Sequence, residues 1–326
     1  MRPTNKPHGF DQTRSLGEPR AWVLGLFLGV SALAYPLVMG AVDQPYFITF
    51  ASRVFVFALA ATSLNLILGY GGMVSFGHAA FVGTGAYATA ILAQAGWVSA
   101  WANWPLALGV CALLASVIGV LSLRTRGLYF IMITLAFAQM LYYLAVSLRV
   151  YGGEDGMPVR RTLLPFGLEL RDEIVLYYTS LLVLALALLL TWRLVNARFG
   201  WILRASSENP TRAASLGLPV FYYQLVAFVL AGTMGGMAGI LLANLNGWVS
   251  PSFLSWHLSG QLMMMVILGG VARLWGGVLG AVAYLFLETL LSEFTIHWQL
   301  FLGGLLLLSV LAVKKGLSGL WGKERG

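Results

Sequence analysis

The chain has 326 residues, 59% of them hydrophobic and only 10% charged, where soluble domains carry roughly 25% charged residues. Its net charge of +8 gives no argument for nucleic acid, because the cations cluster beside apolar runs, where membrane topology places them. A soluble globular domain is excluded, and apolar runs long enough to cross a bilayer as helices predict an all-α polytopic membrane protein.

Residues 1–20 are polar and carry Arg2, Lys6, Arg14 and Arg20, which predicts a cytoplasmic N-terminal tail. The apolar stretch that follows contains Ala32-Leu33-Ala34, the small-x-small form of a signal cleavage site. It continues to Val42 and precedes many further spans, so it reads as a retained signal-anchor helix. Ten apolar segments can be marked, at about 21–42, 46–70, 73–95, 105–123, 127–148, 174–195, 220–246, 259–272, 276–293 and 298–313. Residues 21–313 thus form a membrane domain of about ten transmembrane or partly re-entrant helices, followed by a basic tail at 314–326. Alternating crossings place both termini, Arg124, Arg126, the segment 193–212 and Arg273 in the cytoplasm, and the mixed-charge segment 149–173 outside. Segment 73–95 is Gly-rich with His78 and Gln94, and segment 259–272 is shorter than the roughly 20 residues of a full crossing. Either can be re-entrant, which leaves eight or nine full spans. Interrupted segments in both halves also fit an internal repeat, although residues 276–284 match 79–88 only loosely.

Gly and other small residues recur at helical spacing, as at Gly232, Gly236 and Gly239 and at Gly276 and Gly280. In lipid, such small faces let helices approach closely, and tight packing is the preferred reading over substrate contact. Cys111 sits in an apolar run and can form no intrachain disulfide. Four histidines without HExxH or CxxC spacing offer no zinc site. The Gly-Lys pair at 322–323 is followed by Glu324, so this sequence carries no P-loop, and an ATP-driven process would need its ATPase on another polypeptide. No catalytic set and no cofactor site is expected. Charges within spans are few: Arg53, His78 and Glu288. Each lies near an interface where snorkelling relieves it, which favours a structural role and speaks against a proton- or voltage-coupled pump. Asn65, Ser75, His78, Thr84, Tyr87 and Gln139 are the candidate polar lining of a translocation path, and Gln261 is a further buried polar group. Interhelical hydrogen bonds explain such residues equally well.

Between the spans ending near 195 and beginning at 220 lies a polar, basic island, ARFGWILRASSENPTRAASLGLP at 197–219. Asn209 suits an N-cap and Pro210 the first helical turn. Thr211 to Leu216 fit about two turns, Gly217 supplies a left-handed stop, and Pro219 blocks continuation. A helix this short is not stable alone. It reads either as a capped turn in an ordinary positive-inside loop or as an element presented to a cytoplasmic partner.

The stretches LNLILGYGGMVSFGHAAFVGTGAYATAIL (64–92), RGLYFIMITLAFAQM (126–140) and YGGEDGM (151–157), with the island and its sequel to residue 243, resemble the LivM-type permeases of branched-chain amino acid ABC transporters. The likeness runs from about 45 to 316. It implies a non-catalytic subunit of an importer in the bacterial inner membrane. Its implied partners are a homologous second permease, two cytoplasmic ATPase subunits and an extracytoplasmic substrate-binding protein. In the wider class the short helix docks on the ATPase, which implies an ATPase-coupling role for residues 205–219, with Arg204, Glu208, Asn209, Arg212, Ala213 and Gly217. The class pattern has an acid where this chain has Thr211, and Glu208 stands upstream instead. Gln224 replaces a basic residue common in relatives. Family members also carry other amino acids, amides or urea, so the resemblance leaves the solute open. A self-sufficient channel or carrier is the alternative, and it needs no docking helix.

Overall fold

A computed structural model describes residues 35–36, 45–164, 168–294 and 297–312. Within these residues the chain forms eleven α-helices. Helix α1 is Pro45–Asn65, extended by a π-helical turn at Leu66–Tyr70, and α2 is His78–Gln94. Then follow α3 (Ala100–Ser122), α4 (Leu128–Ser147), α5 (Glu173–Asn196), α6 (Arg198–Glu208), α7 (Pro210–Ser215), α8 (Val220–Asn246), α9 (Trp256–Gly269), α10 (Gly276–Phe294) and α11 (Trp298–Ala312). The extended structure is slight: β1 (Met157–Pro158) pairs antiparallel with β2 (Trp248–Val249), tying the α4–α5 connection to the end of α8.

The expected first segment, 21–42, and the tails at 1–20 and 314–326 lie outside the described residues apart from 35–36. Each of the other nine segments falls on a helix. Among the described residues, six helices are long and apolar enough to cross a membrane: α1 with its π turn, α3, α4, α5, α8 and α10. Segment 73–95 is shorter as a helix than as an apolar run, because Gly72 at φ +65° and a turn through Ser75 delay α2 to His78. The 17 residues of α2 and the 14 of α9 rise only ~25 and ~21 Å at 1.5 Å per residue, short of a ~30 Å hydrocarbon core. The sequence anticipates both.

Helices α1 and α8 form the centre, each 67% buried over its span window, whereas α3, α4, α5 and α10 are 22–39% buried and form the periphery. The centre is held by close backbone approach. A Cβ on Gly85 of α2 would strike the backbone of Gly236, and one on Gly239 would strike the carbonyl of Val82. Gly236 also admits the fully buried Cys111 of α3. The small-residue spacing in α8 is therefore used for packing, which in lipid supplies the association that the hydrophobic effect cannot.

Candidate docking helix and candidate path residues

The island folds as two helices rather than one. Helix α6 runs on from α5 around a corner built by Arg204. Its Nη2 donates to the Val195 carbonyl at 2.6 Å and its Nε to Gly200 at 3.2 Å. Its guanidinium also sits 5.4 Å from the centroid of the Trp201 ring. The guanidinium thus satisfies a carbonyl at the C-terminal end of α5 that has no partner within that helix. On the inner side of α6, Leu203 and Ser206 are buried and Gly200 packs on Val195. Near its C-terminal end a Cβ on Gly72 would meet Ser207, so the loop leaving α1 lies against this corner.

The expected element at 205–219 is the last turn of α6, a break at Asn209 and the six-residue α7. Asn209 is extended (φ −150°, ψ 92°), and its Oδ1 accepts the Arg212 N–H at 2.9 Å. That bond satisfies one of the amides a helix N-terminus leaves unpaired. At the other end Gly217 takes φ +79°. Its N–H reaches the Ala214 carbonyl at 2.9 Å, and Leu218 N–H reaches Ala213 at 3.2 Å. These two bonds are the Schellman pair that closes a helix through a left-handed residue. Ala213 is the buried member of α7, whereas Glu208, Asn209, Thr211, Arg212, Ala214, Ser215 and Leu216 are exposed. Leu216 is 74% exposed, an apolar side chain held outward by a rigid turn. The sequence reading does not single it out. Its position beside the required glycine is the signal that could have done so.

The six candidate path residues separate into two groups. Asn65 is buried, and its side-chain amide is spent on the turn between α9 and α10: Oδ1 accepts from Ala272 N at 3.0 Å and Nδ2 donates to the Arg273 carbonyl at 2.7 Å. That clamp steadies Ala272, which has φ +60° without being glycine. Ser75 is buried and accepts from Gly77 N at 3.2 Å, turning the chain into α2. His78 is fully buried, with Nε2 2.7 Å from Ser63 Oγ. The Ser63 hydroxyl already donates to the Ala60 carbonyl. Its single hydrogen is then used, so the imidazole carries its proton on Nε2 and Nδ1 is an acceptor. Ser259 of α9 accepts the Ala79 N–H at 2.9 Å, so α9 also holds the start of α2. Thr84 bonds back to the Ala80 carbonyl at 2.6 Å.

The second group keeps its polar atoms free. The Tyr87 hydroxyl, the Gln139 Nε2 and the His78 Nδ1 are buried and have no hydrogen-bond partner. Buried polar groups are normally paired, so these three stand apart from Asn65, Ser75 and Thr84. Gln139 belongs to α4, and the outward face of that helix differs from those of its neighbours. The exposed large side chains of α3 are Trp101 at its first turn, then Leu106, Val110, Leu113, Val117 and Leu121; those of α5 are Ile174 at its start, then Leu182, Leu186, Leu189 and Leu190. Helix α4 exposes Leu128 and Leu144 as well, but adds Tyr129, Met132, Met140 and Tyr143. Tyr129 and Tyr143 lie toward the two ends of the helix, at the depths where amphipathic aromatic rings meet the membrane interface.

Residues 46–311 match the protein family described as the branched-chain amino acid transport system permease component. The chain is similar to the high-affinity branched-chain amino acid transport system permease protein LivM of Salmonella typhimurium, 28% identical over 314 residues, which covers 88% of this chain and 72% of that protein. LivM of Escherichia coli is 27% identical over the same extent. The autoinducer 2 import system permease protein LsrC of Yersinia pseudotuberculosis is 29% identical over 179 residues, 52% of this chain and 50% of that protein. No solved structure matches the chain. With the family match running from the start of α1 nearly to the end of α11, over the same helices that build the membrane core, this chain belongs to the branched-chain amino acid transport system permease family.

Proposed function

We propose that this chain is one of two homologous permease subunits of an ATP-driven importer for branched-chain or related amino acids. Each permease supplies half of the path, and two separate cytoplasmic ATPase subunits drive it. A substrate-binding protein delivers solute at the outer face, where segment 149–173 lies, and both termini are in the cytoplasm of the bacterial inner membrane. The observation that carries this reading is α7: six residues capped at both ends and projecting Leu216 out of a basic, solvent-facing corner. A self-sufficient channel has no use for a rigid apolar projection in water, whereas a docking helix needs one. Arg212 and Glu208 flank it as rim contacts, Asn209 and Gly217 hold its ends, Ala213 seats it and Arg204 braces the corner behind it. The face of α4, with Tyr87 and Gln139 behind it, suits the side of a path for a small amino acid with an apolar side chain. The likeness to LivM over 88% of the chain, against 52% for LsrC, favours amino acids over the LsrC solute.

The test is purification of the permease together with its candidate ATPase, alongside uptake of labelled leucine. Loss of both in variants of α7 supports the reading, and retention of the ATPase by a variant in which 209–217 is replaced by a flexible Gly-Ser linker overturns it.

A further inference from the structure

Within the six spans, two charged side chains lie more than a turn from either helix end, Arg53 of α1 and Glu288 of α10. They lie on different helices, 235 positions apart in sequence, and the fold brings them together: Arg53 Nη2 is 3.4 Å from Glu288 Oε1. Each sits about 10 Å in from its end of the helix at 1.5 Å per residue. One is near the start of α1 and the other near the finish of α10, so the two depths coincide only because the helices run antiparallel. Further along the same seam Gly277 packs directly on Thr62. The surroundings are arranged around the pair. The Arg53 guanidinium lies 5.7 Å from the centroid of the Phe57 ring, one turn along α1. Tyr284, one turn before Glu288, is buried and hydrogen-bonded to Gln261 of α9.

A charge in hydrocarbon is costly unless it is paired or can reach the interface. Arg53 is made long before Glu288, and until α10 arrives its partner is missing from the membrane. We propose that Arg53 and Glu288 form an assembly lock: Glu288 of α10, 18% exposed, is paired only where it meets Arg53 of α1, whose own side chain stays 43% exposed, and the pair so fastens α9 and α10 to the centre of the fold. Neither charge serves substrate or proton movement. The inference does not depend on the identity of the transported solute or on the docking helix.

Removing one partner of such a pair strands the other, whereas replacing both by apolar side chains of similar size removes the requirement. The experiment compares Arg53→Met, Glu288→Leu and the two together in the full-length permease. It reads the amount of folded protein in the membrane, the unfolding midpoint in detergent, and uptake per folded molecule. Arg53→Met, which strands the less exposed Glu288, is expected to lower folded protein at least fivefold and the midpoint by several degrees, and Glu288→Leu, which leaves a 43% exposed guanidinium, is expected to lower both by less. The double variant is expected to recover at least half of both losses and to transport within about twofold of the parent. Singles that fold like the parent, or a double no better than the worse single, overturn the lock. A double that folds normally but has lost uptake overturns it too, because the charges would then act in transport.

Discussion

Replacement of Gly217 separates the conformation of the docking helix from its packing. The residue has φ +79°, and a Cβ built on it would meet nothing within 4 Å, so the penalty of any side chain is one of backbone conformation alone. For an L-residue in the left-handed region this is about 1–2 kcal/mol, and higher within that range for a β-branched one. Helix α7 buries one residue, Ala213, and is held mainly by its two caps. An Asn N-cap contributes about 1 kcal/mol, so Gly217→Val opposes the helix with a term at least as large as its remaining cap. A loss of 1–2 kcal/mol lowers the population of the capped form by a factor of about 5–30. The rest of the fold is untouched, because position 217 is exposed. Gly217→Val is therefore expected to reach the membrane in normal amount, to lose most of its ATPase in co-purification and to lose uptake in proportion. Gly217→Asn is the control, since Asn tolerates the left-handed region, and it should retain most of both. If Val and Asn behave alike, the left-handed stop is not what matters. If Gly217→Val keeps its ATPase but loses uptake, α7 is not the dock.

Leu216→Asp should abolish ATPase capture while leaving the unfolding midpoint within about a degree, because a 74% exposed side chain contributes little to the fold; Arg212→Ala, a rim contact, should weaken capture less. Ser63→Ala should destabilise the permease by about 1–3 kcal/mol, since it leaves the buried His78 Nε2–H without an acceptor; Ser63→Thr, which restores the hydroxyl, should recover part of the loss in a thermal unfolding assay. Asn65→Ala releases the α9–α10 turn at Ala272 and Arg273, and proteolysis at that turn should rise in step with a lower unfolding midpoint. In a Cys111→Ala background, an impermeant thiol reagent added outside intact cells should modify a cysteine at the exposed Glu154 and spare one at the exposed Ser215; the reverse pattern would invert the topology.

What could be read from the sequence divides by the reach of the interaction responsible. The caps of α7 were legible to the residue, because Asn209, Pro210 and Gly217 act on backbone within three positions of themselves. The spans were legible because hydrocarbon imposes a length and an apolar composition on any helix that crosses it. Helix α6 is less legible than α7. Its one glycine, Gly200, lies near its start, and no residue from Trp201 to Glu208 marks a stop; Asn209 and Pro210 mark only the start of the helix that follows. In the π turn at Leu66–Tyr70, Gly69 leaves the room that the Asn65 amide and Ala272 occupy. The Asn65 amide reaches across to a turn more than 200 residues away, and composition holds no record of that distance.

The same division explains why the candidate path residues were a mixed set. Polar side chains in a span attract suspicion one at a time, because each is costly in lipid. The cost is removed, however, by partners the sequence cannot display. Asn65 meets the backbone of Ala272 and Arg273, and His78 meets Ser63. Once those partners are in place, the candidates that still carry a buried, unpartnered polar atom are fewer: Tyr87 at its hydroxyl, Gln139 at Nε2 and His78 at Nδ1. Gln139 lies on α4, whose outer face mixes Tyr and Met with Leu128 and Leu144, residue types that are ordinary in a membrane helix. That face stands out only against the aliphatic outer faces of α3 and α5, a comparison that requires knowing which side of each helix faces outward.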